Sequence, residues 1–356
     1  MIKDSIFAAL ELAEVRRAER RRFLKLAGAG AATAGGLALL SACGSSDDNS
    51  TSPSPTPSPT PTATPTSGVS TDIGILQLAL NLEYLEAQFY SAAAFGQALP
   101  TASTTGSVGA LGAVTGGRKV NFSDPIIASY AREIAGDEIA HVNALRAVIT
   151  AAGSTLVINQ PAINIDGGAN GAFTQAARAA GIVGATGTFD PYESDENFLL
   201  AAFLFEDVGV TAYKGASPLI GSAIYLEAAA GILAAEAYHA GLIRAELYRL
   251  GLLSPTTSKA ITGANAISNA RDSLDGVGTD KLPNLNELDE GITRTVNGAQ
   301  VANIVPADSN GIAYSRSPTQ VHNIVYLNKA AAVSGGFFPA GTNNSIDALR
   351  SSGANG

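Results

Sequence analysis

Two copies of one four-residue spacing constrain this chain more than any other feature. Glu138-Ile139-Ala140-His141 and Glu236-Ala237-Tyr238-His239 each place an acid three residues before an imidazole. On a helix that spacing puts both side chains on one face. Ordinary composition puts a Glu at that distance before roughly one His in fifteen. Here two of the three histidines in the chain carry it.

Both motifs fall in helical periodicity, and two further periodic segments complete a set of four. The first runs from about Thr71 to Leu99, with Ile75, Leu78, Leu82, Leu85 and Phe89 at steps of three and four. Asp124-Pro125 starts a second helix, with Asp as cap and Pro in the first turn, reaching about Ala152. A long connection follows, with a short helix expected near 172–180. Asp195 is expected to cap a third helix ending near Gly215, and a fourth follows Ser217-Pro218 and ends at Gly251. The expectation is an all-α bundle over 71–253 with one long crossover between the second and third helices. The chain beyond, 254–356, reads as an irregular extension. It has a further helix within 257–275 and short apolar runs at Val301–Val305 and Ile324–Leu327 that suggest strands or extended segments. Plentiful Ala and Gly and the absence of Trp suggest close helix packing rather than a bulky aromatic core.

The first and third helices each add an acid to an apolar face. Helix three offers Glu206 after the run Phe198–Phe205, with Asp207 turned elsewhere. Helix one offers Glu83, favoured for Tyr90 two turns along the same face; Glu86 is its rival, or an acid just outside the site. One Glu from each of two helices and Glu-x-x-His from the other two is the donor set of a di-iron or dimanganese carboxylate centre. Four carboxylates balance two divalent cations, and imidazole suits iron. Burying the same acids with no cation is costly, because like charges cannot all ionise together. The halves repeat further: Arg146 and Arg244 each lie eight residues after the motif Glu. Glu133 and Glu227 read as solvated acids, the alternative being acids just outside the site or in a channel; Tyr130, Tyr213 and Tyr238 read as core tyrosines, the alternative being bonds to ligands or a radical role; His322 reads as structural.

Composition closes off alternatives. One Cys allows no intrachain disulfide and no Cys-ligated zinc or iron–sulfur site. Met1 is the only methionine, so no haem with a Met ligand is expected. The net charge is −9, although the first 25 residues carry seven Lys and Arg against four acids. The body is therefore strongly acidic, which argues against nucleic acid and is compatible with cations.

The N-terminus reads as an address. Arg20-Arg21-Arg22-Phe23-Leu24-Lys25 resembles a twin-arginine export signal, and Leu40-Ser41-Ala42-Cys43 resembles a bacterial lipobox, with Cys43 as the lipidated residue. Residues 44–70 are a Ser/Thr/Pro-rich linker suited to an extended tether. The expected location is the bacterial cell envelope or periplasm, with the membrane engaged through lipid on Cys43.

The donor set and its order resemble the ferritin-like superfamily. The narrower likeness is to the ferritin-like domain proteins related to plant desiccation-related proteins, over about residues 72–251 and again at Asn303–Asp308. The resemblance implies a ferritin-like four-helix bundle. Similarity to bacterioferritin implies Glu83, Glu138, His141, Glu206, Glu236 and His239 as ligands of two iron or manganese ions. Rubrerythrin's Cys-rich module is missing, and the tether and tail sit poorly with a closed storage cage. The resemblance implies reaction with O2 or peroxide (ferroxidase, peroxidase or manganese-catalase-like), or else a non-catalytic role in protection against stress.

Overall fold

The computed structural model describes residues 69–276 and 289–354. The expected signal, Cys43 and all but the last two residues of the linker lie outside the described residues. Helix α1 spans Thr71–Phe95, capped by Ser70, whose side chain accepts from Ile73 N. It stops short of Leu99 because Gly96 takes a left-handed conformation (φ 70°) and returns its N–H to Ala92 O. Helix α2 spans Pro125–Ala152, and Asp124 caps it as expected. The crossover carries a short helix, α3 (Ala172–Ala179). Helices α4 (Asp195–Ala216) and α5 (Ala223–Leu253) form the second pair.

The cap of α4 is Ser194, not Asp195. Asp195 turns away and accepts from Ser123 N, Ser123 Oγ and Asp124 N, tying the start of α4 to the start of α2. Helix α5 runs through Gly251 rather than ending there, and the glycine serves instead to let helix α6 (Ala260–Asp275) approach: a Cβ there would lie 2.5 Å from Ile261.

Helix α1 packs along α2 and α4 along α5, and the two pairs close on each other through α1–α4 and α2–α5 contacts. This is the ferritin-like arrangement. Two small sheets lie outside it. Strands β1 (Val114–Gly116) and β2 (Ile163–Ile165) pair in parallel and join the loop after α1 to the crossover. Strands β3 (Thr293–Val296) and β4 (Ala299–Ala302) form a hairpin about Asn297-Gly298, both at positive φ as such tight turns require. The run Ile324–Leu327 is not extended. Its first two residues end helix α7 (Pro318–Val325), whose start is fixed by a capping box between Ser317 and Gln320.

The extension is part of the core. Helix α1 is buried on nearly every side, including its polar Gln77, Asn81 and Gln88. Crossover and tail satisfy those groups: Gln77 donates to Leu156 O, Asn81 to Asn343 O, and Gln88 to Gln160 Oε1. One end of the bundle holds Phe89, Tyr90, Phe173, Phe198, Phe205 and Phe337 in ring contact, so aromatics do build part of this core.

A wholly buried ionic cluster locks α6 and the tail to the bundle. Arg244 and Arg271 both reach Asp207 Oδ2 at 2.7 Å, Arg271 and Arg316 both reach Asp289, and Arg316 reaches Asp275 at 2.6 Å. Three cations face three anions there, which is the condition under which such charges can be buried. No helix among the described residues is long and apolar enough to cross a membrane.

Candidate metal centre

The four long helices bring Glu83, Glu138, His141, Glu206, Glu236 and His239 to one place in the bundle interior. The four acids have no solvent exposure, and the two imidazoles have 9% and 6%. Their donor atoms form two overlapping groups, each within 4.8 Å: Glu83, Glu138, His141 and Glu236, and Glu138, Glu206, Glu236 and His239. Glu138 and Glu236 belong to both. The geometry is that of two neighbouring cation positions sharing two carboxylates, each completed by one further Glu and one His.

Both imidazoles turn Nδ1 inward. His141 Nδ1 lies 3.2 Å from Glu83 and 3.5 Å from both Glu138 and Glu236. His239 Nδ1 lies 3.0 Å from Glu138 and 3.5 Å from Glu206. Even so, both Nδ1 atoms, both oxygens of Glu138 and Glu236, and one oxygen each of Glu83 and Glu206 lack a hydrogen-bond partner. Native interiors rarely leave one such group unsatisfied. Eight orphaned donors converging on one spot fit a pair of bound cations, and the residue types are those that bind iron or manganese.

The electrostatics agree. Burial pushes Glu83 up to about 7 despite His141, and burial with repulsion from Glu138 drives Glu236 well above the carboxylate range. Burial opposes ionisation of Glu138 too, but His141 and His239 hold it below the usual range. Burial also disfavours charge on the imidazoles, yet Glu83 beside His141 and Glu206 beside His239 hold both well above theirs. The cluster demands positive charge, from protons or from metal.

The remaining contacts repeat across the two halves. Tyr213, seven residues after Glu206, donates to Glu83 Oε1 at 2.5 Å, and Tyr90, seven after Glu83, donates to Glu206 Oε1. Burial and the adjoining carboxylates raise both phenols, so they stay donors. Arg146 reaches Tyr84, the residue after Glu83, and Arg244 reaches Asp207, the residue after Glu206. The crossed tyrosines were not visible in the sequence as a pair, although the equal offset of seven was a usable signal.

Three features break the symmetry. His239 Nε2 lies 3.4 Å from Asp137, whereas the position equivalent to Asp137 is Ala235. Arg244 is fully buried and Arg146 only partly. Glu86, three after Glu83, is buried and lies outside both groups of donors, while three after Glu206 stands Gly209. Other expectations resolve simply. Glu133 and Glu227 are exposed and Tyr130 is half-buried. Tyr238 is 81% exposed rather than in the core, because its two neighbours on the inward face are Glu236 and His239. His322 is buried far along the chain from both motifs, between Pro318 O and Thr342 Oγ1.

This fold and cluster define a ferritin-like protein with a metal site of the dinuclear carboxylate type. The ferritin-like domain family model matches residues 71–249, and the chain belongs to that family. It is 30% identical over 255 residues to a desiccation-related protein of Craterostigma plantagineum, covering 70% of this chain and 75% of that one. It is 28% identical over 281 residues to a ferritin-like catalase of Nesocodon mauritianus, covering 77% and 84%. No solved structure matches the chain.

Proposed function

We propose that this is an exported dinuclear iron or manganese protein that decomposes hydrogen peroxide. The observation that carries the reading is the set of orphaned buried donors, divided into two groups that share Glu138 and Glu236. Such a pair supplies two-electron redox chemistry when bound, so that two molecules of hydrogen peroxide give two of water and one of dioxygen. The chain's own part is positional. Glu138 and Glu236 hold the two positions together, Glu83 with His141 and Glu206 with His239 fix each end, and Tyr213 and Tyr90 steady the outer acids. The relative described as a ferritin-like catalase supports peroxide as substrate.

The export reading rests on the Arg20–Lys25 and Leu40–Cys43 motifs and on the linker after them. It predicts lipid labelling of the chain in a bacterial host that is lost in Cys43→Ser. The test of function is metal analysis of natively purified protein with peroxide turnover and the visible spectrum before and after peroxide. Two ions per chain and rapid turnover, abolished by Glu138→Ala, are expected. A metal-loaded protein inert to peroxide sinks the catalytic reading.

A second reading has the same site serving metal sequestration or structure under drying stress. The desiccation-related relative favours it. Metal binding that raises thermal stability with no peroxide or Fe(II) turnover would select it.

A further inference from the structure

The centre repeats across its two halves, but one imidazole is braced from outside and the other is not. His239 turns Nδ1 toward Glu138 and Glu206, and its other ring nitrogen, Nε2, lies 3.4 Å from Asp137 Oδ2. Asp137 stands on α2, immediately before Glu138, so the brace reaches His239 from the opposite helix pair. Every acid contact of His141, by contrast, is made through Nδ1. The residue before Glu236, in the place equivalent to Asp137, is Ala235, whose methyl group accepts no hydrogen bond.

The brace changes what the ring offers a cation. A neutral imidazole carries its hydrogen on either nitrogen, and only the tautomer with hydrogen on Nε2 presents a lone pair at Nδ1. A carboxylate accepting from Nε2–H selects that tautomer, holds the ring plane and makes Nδ1 the stronger donor. His239 is thus prepared before an ion arrives, while His141 is ordered only by the ion itself. The buried Glu86 does not reverse this bias, because its strongest repulsions are with Glu236 and Glu138, the acids that both positions share.

We infer that the two cation positions are not equivalent: the one completed by Glu206 and His239 takes the first ion, and the one completed by Glu83 and His141 takes the second. Asp137 is the positioning residue that sets this order. Loss of an outer carboxylate of this kind costs about tenfold to a hundredfold in metal affinity. The Asp137 side chain is 38% exposed and its contact is long, which puts the difference between the positions at the low end, about tenfold. The inference rests on the dinuclear reading of the site and not on peroxide as the substrate. Its consequence is a threshold. Two-electron chemistry needs both ions, so the weaker position sets the free-metal concentration at which the centre becomes complete, and it is the position that exchanges its ion first.

The test uses the full-length chain with Mn(II) as the probe. His141→Ala leaves the Glu206–His239 position and His239→Ala leaves the Glu83–His141 position, so each chain reports one affinity, read by competition with a chelator. The His141→Ala chain should bind about tenfold more tightly than the His239→Ala chain. Adding Asp137→Ala to His141→Ala should close that gap, and adding Ala235→Asp to His239→Ala should narrow it from the other side. In the unsubstituted chain given one equivalent of Mn(II), anomalous diffraction should place the ion mainly at Glu206 and His239, which decides the matter should the single-position chains not fold. Affinities within about twofold of each other, or equal or greater first occupancy at Glu83 and His141, overturn the inference. A chain that takes up no Mn(II) at all removes the dinuclear reading together with the inference, whereas ordered loading of a chain inert to hydrogen peroxide upholds the inference and removes only the peroxide reading.

Discussion

Arg271 offers the sharpest test of how the extension is held. It lies on α6 with no solvent exposure, under the Phe203 ring at 4.5 Å, and joins Asp207 of α4 to Asp289 at the start of the tail. Its substitution by Met keeps much of the volume and removes one of three buried cations. Asp207 keeps Arg244 and Asp289 keeps Arg316, but the cluster is left with three anions against two cations. Breaking a buried pair from one side costs about 3–5 kcal/mol, because the remaining charge stays desolvated. For a domain of this size that is a fall in Tm of roughly 6–15 °C. Asp289→Asn alone should cost a similar amount. Combining it with Arg271→Met restores two charges of each sign, so the double variant should be more stable than additivity predicts by about 1 kcal/mol or more. Thermal and urea unfolding of the four proteins at fixed metal loading measures the cycle. A loss under about 1 kcal/mol for Arg271→Met, or strict additivity in the double variant, would refute charge balance as what holds the tail.

Metal stoichiometry should follow the sharing of ligands: Glu138→Ala or Glu236→Ala should empty both positions, while His141→Ala or His239→Ala should leave about one ion per chain, read by elemental analysis. Asp137→Ala should weaken binding at the His239 end by roughly tenfold or more, because it removes the carboxylate that orients that imidazole, and competition with a chelator measures it. His322 is pushed down by burial to about 4, so the unfolded chain takes up its proton first. Its contribution is complete above about pH 6.5 and is lost as the pH falls toward 4, by roughly 3 kcal/mol. In His322→Gln the stability difference between pH 7 and pH 4 should shrink by that amount, and an unchanged acid profile would contradict it.

The chain's local chemistry determined its helices and the donor set. The Glu-x-x-His spacing, Asp124-Pro125 and the apolar periodicity act within a few turns, so helical geometry alone commits them. The same locality explains the misplaced details. Asp195 looked like a cap because caps are read from residue type, but Ser194 took that role once Asp195 found the start of α2. Ile324–Leu327 looked extended because eight residues are too few to show a helical period. What tertiary structure decided is everything that depends on bringing distant segments together. The crossed Tyr213–Glu83 and Tyr90–Glu206 bonds span 130 and 116 residues. The tail's burial of α1 joins residues more than 260 apart, as in Asn81 to Asn343. The choice between Glu83 and Glu86 is of the same kind. Both lie near one face of α1, and only the opposing helices separate them: α2 and α4 place His141 and Tyr213 against Glu83, while Glu86 lies outside both groups of clustered donors.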